Sequence, residues 1–141
     1  MTINAVQQNL FEVDKRYHLA HCISSDCKMG AGIALEFQRR FNLRDNLMDK
    51  YTKEELNHPA CILDGNVFNL ITKKMYWHKP TYSSLKRSLY IMRDIAEKNQ
   101  VKHIAMPKIG CGLDRLSWVK VKEILGDVFV GTDIKILVCF L

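Results

Sequence analysis

Two short apolar runs in this chain each end in a glycine-rich loop, and that repeated pattern constrains the fold more than any other feature. Tyr17–Ile23 (YHLAHCI) gives way to Ser24-Ser25-Asp26 and then to a loop containing Gly30 and Gly32. His103–Pro107 (HIAMP) gives way to Lys108–Asp114 (KIGCGLD), with Gly110 and Gly112. Both runs read as buried strands. In layered α/β sheets, ligands sit beyond the C-terminal ends of the strands. If these two strands are parallel and central, their loops converge on one crevice. Backbone amides bared by glycine at a helix start suit an anion. One Gly-Ala-Gly before a helix is also what an ordinary loop looks like. The second loop, at the corresponding place, makes a cradle for a phosphorylated ligand the better reading.

The remaining pattern alternates strands with helices. TINAV near the start reads as a strand. AGIALEFQRRF carries Ile33, Ala34, Phe37 and Phe41 at helical spacing, and the polar segment 44–57 mixes a short helix with loop. Ala60–Thr72 is two apolar runs around Asp64-Gly65, a hairpin signal. Leu85, Leu89, Met92 and Ala96 recur at threes and fours, with Lys86, Arg87, Arg93 and Lys98 outside, which predicts a helix. A further helix is expected from about Ser117 to Val128, then a last strand, IKILVCF. No repeat or linker divides the chain, so residues 1–141 are expected to form one α/β domain, with helices covering a mixed sheet.

Composition narrows the function. At 141 residues the chain can bury a core without staples. Five cysteines with no CxxC pair point to free thiols in a reducing compartment, hence the nucleus, the cytoplasm or both. His18, His21, Cys22 and Cys27 match no common zinc spacing, so no metal is expected. No membrane span or secretory leader is expected either. The net charge of +6 favours an anionic partner, but the basic residues are scattered over QRRF, TKK and LKRS. A DNA- or RNA-binding protein would need stacking platforms or a coherent basic face, and the sequence offers neither.

LAHCISSDCKMGAGIALEF, LITKK, HKPTY and MPKIGCGLDRLSW, in this order, resemble the macrodomain family and, within it, its terminal ADP-ribose glycohydrolase branch, whose members also deacetylate O-acetyl-ADP-ribose. The resemblance runs from about residue 3 to the C-terminus. It implies a three-layer α/β/α sandwich with a mixed, largely parallel sheet and a crevice for ADP-ribose. The chain lacks the Asn-rich strand end and Gly-Gly-Gly-Val loop of macrodomains that use an asparagine and water, which argues for different chemistry in the same fold.

The resemblance implies that Lys73 attacks the anomeric carbon of the distal ribose and forms a lysyl–ADP-ribose adduct, which Asp114 helps to resolve. The substrate it implies is mono-ADP-ribose esterified to a protein glutamate or aspartate. The partners are ADP-ribose and ADP-ribosylated proteins, with poly(ADP-ribose) or ADP-ribosylated nucleic acid as further candidates. No metal or cofactor is needed, and the expected state is a monomer. The residue types suit the work: a neutral lysine amine is a nucleophile, and a carboxylate can take and return a proton. The resemblance also assigns ligand contacts to Leu10, Ser24, Gly30, Gly32, Lys108, Ile109, Gly110, Cys111, Gly112, Leu113 and Leu141. Gln8 and Asn9 stand where macrodomains usually read Gly-Asp, and a neutral amide accepts the adenine amino group more weakly than a carboxylate.

Each assignment has a plainer rival. Lys73 can be a solvent-exposed charge at a strand end, and Asp114 can be the N-cap of the next helix. Cys111 has no base beside it and reads as a small loop residue. His21 and His78 fit core packing and a Pro-flanked turn. Trp77 fits a lid or bare surface, and Tyr82 and Trp118 fit core or cap contacts. At the level of the whole chain, a reader that binds ADP-ribose without turnover is the alternative to an enzyme.

Overall fold

A computed structural model describes residues 2–141 of the chain. Six strands form one sheet: β1 (Thr2–Gln7), β2 (His18–Ser24), β3 (Ala60–Asp64), β4 (Val67–Lys73), β5 (His103–Met106) and β6 (Lys135–Phe140), in the order β1-β6-β5-β2-β4-β3. Only β3 is antiparallel to its neighbour. The four helices are α1 (Gly32–Phe41), α2 (Leu43–Lys50), α3 (Tyr82–Lys98) and α4 (Trp118–Phe129), and a 3₁₀ turn spans Leu10–Glu12.

Burial divides these elements into three layers. Leu85, Leu89, Met92 and Ala96 of α3 pack with Val121, Leu125, Val128 and Phe129 of α4 against one face of the sheet. Phe37 of α1, Leu43 and Leu47 of α2, and Leu10 pack against the other. These four positions of α3 are fully buried, and Leu85, Leu89 and Met92 each contribute about 2 kcal/mol. The hydrophobic stripe read from the sequence is therefore the core-facing stripe. Thr81 caps this helix and forms a reciprocal capping box with Ser84.

The hairpin forms as expected, although Asp64 still pairs in the ladder with Val67, so Gly65 and Asn66 make the turn. The polar stretch after α1 resolves into α2 and a loop.

The topology places the crevice. β2 and β5 are neighbours, parallel and central. From β2 the chain passes over one face, through α1 and α2, to the edge strand β3, and the hairpin returns it to β4 beside β2. From β5 it passes over the other face, through α4, to reach β6 on the opposite side. The two connections diverge, which opens a cleft at the C-terminal ends of these strands. Both glycine-rich loops lie there.

Candidate active site

β4 delivers Lys73 to this cleft through an irregularity. The β2–β4 ladder shifts register after Ile23–Ile71, so Thr72 is skipped and Lys73 pairs with Ser24. Such a bulge re-aims the side chains that follow it. The Lys73 carbonyl is then held twice by Ser25, through its N–H at 2.9 Å and its hydroxyl at 3.3 Å. The loop after β5 supplies the partner: Lys73 Nζ lies 2.6 Å from Asp114 Oδ1, with the two side chains only 13% and 14% exposed. Shielding at that level makes the pair stronger than a surface ion pair. Asp114 is not a helix cap. α4 begins only at Trp118, and the N–H of Ser117 donates instead to the Tyr82 hydroxyl at 2.9 Å.

The pair sits where two lobes of one crevice meet. A lobe of about 260 Å³ is walled by Ser24, Lys28, Gly30, Tyr76, Trp77 and Lys79. A second, of about 460 Å³, is walled by Gly32, Lys108, Ile109, Gly110 and Gly112. Lys73, Asp114, Leu113 and Cys22 line both. Desolvation pushes the Cys22 thiol up, with the Asp114 carboxylate adding to the effect, so this sulfur stays protonated and unreactive.

The glycines fall into two kinds. Gly32 and Gly110 hold φ of +61° and +72°, and a Cβ on Gly110 would stand 2.8 Å from Leu116 Cδ1. Their own backbones require glycine. Gly30 and Gly112 have no such need: a Cβ would meet Lys28 Cγ at an ordinary 3.7 Å in one case and nothing within 4 Å in the other. These two leave space in the crevice itself. Cys27, Met29 and Arg115 also adopt positive φ, so both loops carry backbone strain.

The Macro domain family model matches residues 20–125. The chain belongs to the Macro domain family. It is 45% identical over 139 residues to the human protein named ADP-ribose glycohydrolase OARD1, covering 96% of this chain and 90% of the relative. The bovine protein of the same name is 44% identical with the same coverage. Among solved structures, the macrodomain of Thermus aquaticus DarG matches with a TM-score of 0.86 at 21% identity, covering 99% of both chains. The Thermosipho africanus DarTG structure in complex with ADP-ribose matches at 0.83 and 18% identity, covering 98% of this chain and 41% of that one. At such identities these structures establish the fold, the three-layer sandwich built here on a largely parallel sheet.

In this macrodomain the crevice gathers Lys73, Asp114, Ser24, Gly30, Gly32, Lys108, Ile109, Gly110, Gly112 and Leu113. It does not gather three others. Leu10 is 4% exposed and packed in the core that also holds Phe37. Leu141 is 92% exposed and lines neither lobe. Cys111 turns its sulfur to the Ile109 carbonyl, 3.3 Å away, and packs against the core. Asn9 Oδ1 accepts the Phe11 N–H at 2.9 Å and so caps the 3₁₀ turn. His21 is a core residue, stacked on Phe37 at 3.9 Å, with Nε2 2.7 Å from Asn69 Oδ1. His78 accepts the Met75 N–H within its own turn. Lys74 is exposed and lines neither lobe.

Sequence reasoning raised Trp77 as a lid residue but missed Tyr76 and Lys79 in the same wall and the carboxylate that fixes it. Asp26 accepts from the Ser24 hydroxyl, the Lys28 N–H at 3.2 Å and the Tyr76 N–H at 3.0 Å. Burial raises its carboxyl, but these hydrogen bonds together hold it below the usual range. Lys79 Nζ reaches the Leu113 carbonyl at 2.7 Å and ties this wall to the second glycine loop. The available signal was KKMYWHK itself, basic and aromatic directly after a strand.

Proposed function

We propose that this macrodomain is an ADP-ribosyl hydrolase that frees mono-ADP-ribose from glutamate and aspartate esters of proteins, through an adduct on Lys73. The observation that carries the reading is the 2.6 Å contact between Lys73 Nζ and Asp114 Oδ1 at the junction of the two lobes. A module that only binds ADP-ribose has no use for a shielded amine–carboxylate pair at that point. The OARD1 relatives, named as ADP-ribose glycohydrolases, support hydrolysis.

In this reading the diphosphate lies between the glycine loops, and the distal ribose reaches Lys73. The ammonium gives a proton to Asp114 or to solvent, and the neutral amine attacks the anomeric carbon. The C–O bond to the acyl group breaks, and the carboxylate leaves with the bonding pair. Asp114 passes its proton to the departing carboxylate or to solvent and, again a carboxylate, takes a proton from water. That water attacks the same carbon, the C–Nζ bond breaks, and Nζ regains a proton. The sum is ester plus water giving ADP-ribose plus carboxylic acid. O-acetyl-ADP-ribose, an ester on the same sugar, is a second substrate of this reading.

The test is release of ADP-ribose from a glutamate-ADP-ribosylated protein by wild type, Lys73→Ala and Asp114→Ala, with calorimetry of ADP-ribose binding to each. Release by wild type, and its loss in variants that still bind, supports the hydrolase. Binding by wild type with no release makes the protein a reader.

A further inference from the structure

Behind the wall formed by residues 74–79 lies a second hollow, of about 320 Å³, that the proposed reaction does not use. Its lining contains lysine, histidine and hydroxyl side chains and no carboxylate. Several of these donors are already committed. Lys73 is paired with Asp114, Lys79 with the Leu113 carbonyl, and Ser84 with the Thr72 carbonyl at 2.8 Å.

The others are free. Among the described residues, no hydrogen bond or ion pair engages the Lys74 ammonium. His78 accepts a backbone N–H at Nδ1, so the neutral ring carries its proton on Nε2. Thr81 accepts the Ser84 N–H and retains its own hydroxyl proton. The decisive group is Thr72, only 1% exposed, whose Oγ1 has no partner; His58 Nδ1 is likewise buried and unpaired. A buried hydroxyl without a partner costs about 1–3 kcal/mol. The bulge that aims Lys73 is what leaves Thr72 out of the strand register.

We propose that this hollow, lined by His58, Thr72, Lys74, His78 and Thr81, is a binding site for a tetrahedral oxyanion of the phosphate type, separate from the crevice. Several donors from different elements and no acidic group suit an anion with acceptor oxygens on all sides. Lys73 and Lys79 line both the hollow and the crevice, so the two sites are coupled. A bound anion favours the ammonium form of Lys73. On the proposed mechanism, which needs the neutral amine, it therefore slows turnover at saturating substrate.

The test follows the ring signals of the five histidines by proton NMR, assigned by single substitutions, while inorganic phosphate replaces chloride at constant ionic strength. The expected result is saturable movement of the His58 and His78 signals that persists in the presence of saturating ADP-ribose, with at most a shifted midpoint. Lys74→Gln, at an exposed position, and the isosteric Thr72→Val should each raise that midpoint about tenfold. O-phosphoserine, titrated separately, distinguishes the source. A similar midpoint means the site takes a phosphate carried on another molecule, and a much weaker one means free phosphate alone. The proposal is overturned if neither anion gives saturable shifts, if ADP-ribose displaces the phosphate, or if both variants keep the wild-type midpoint. Binding without inhibition would leave the site standing and count against the lysine mechanism instead.

Discussion

Tyr76 and Asp26, fifty residues apart in the chain, are joined by a hydrogen bond from the Tyr76 N–H to Asp26 Oδ2 at 3.0 Å. This contact fixes the wall carrying Tyr76 and Trp77 against the loop carrying Gly30. Asp26→Ala removes the acceptor for two backbone amides and the Ser24 hydroxyl, and is expected to cost about 1–3 kcal/mol. KM for an ADP-ribosylated protein should rise more than kcat falls, because Lys73 and Asp114 keep their contact. Urea denaturation and steady-state kinetics measure the two effects.

The two kinds of glycine predict opposite phenotypes. Gly32→Ala and Gly110→Ala should lower unfolding free energy by about 1–2 kcal/mol from backbone strain. Gly110→Ala should be the worse, because Leu116 must also move. Gly30→Leu and Gly112→Leu should leave stability within about 0.5 kcal/mol, yet weaken ADP-ribose binding at least tenfold, by about 1.4 kcal/mol or more. Unfolding curves set beside calorimetric titrations separate the two groups.

His21 links stability to pH. Burial lowers its pKa to about 4, with the Asn69 hydrogen bond opposing, against about 6.5 when unfolded. Between these values the unfolded chain binds more protons, so stability is full above pH 6.5 and falls as pH drops toward 4. The loss across that window is on the order of 3 kcal/mol. Thermal unfolding of His21→Gln should show a flatter slope between pH 6.5 and 4 than wild type. Equal slopes would mean that His21 does not titrate in this window.

Much of the fold was legible because its signals are local. The stripe on α3, the hairpin at Gly65 and the two strands that end in glycine loops each rest on residues near one another in sequence. Lys73 and Asp114 came from the family resemblance, and folding brings them together across 41 positions. What was not legible depends on distant contacts. The wall of Tyr76, Trp77 and Lys79 is shaped by Asp26 and by the Leu113 carbonyl, and no periodicity announces such bonds. Leu10 was assigned by the resemblance, and its burial has no local signal, because one residue in a short turn forms no stripe. The skipped Thr72 is equally silent, since a bulge adds one residue without changing the apolar run.

The Lys73–Asp114 pair also predicts how the two variants differ. Asp114→Ala should reduce turnover at least a hundredfold, because adduct hydrolysis loses its base, while Lys73 can still attack. Lys73→Arg should be inactive although it keeps the charge, since a guanidinium is not deprotonated. Release rates with each variant test this.

The most direct measurement of the central claim is to incubate Asp114→Ala with ADP-ribosylated substrate, quench, digest, and locate ADP-ribose by mass spectrometry. The account predicts ADP-ribose on the peptide containing Lys73, carried by its side chain and absent from Lys73→Ala. Turnover by wild type with no adduct on Lys73 in Asp114→Ala, together with an active Lys73→Arg, would contradict it.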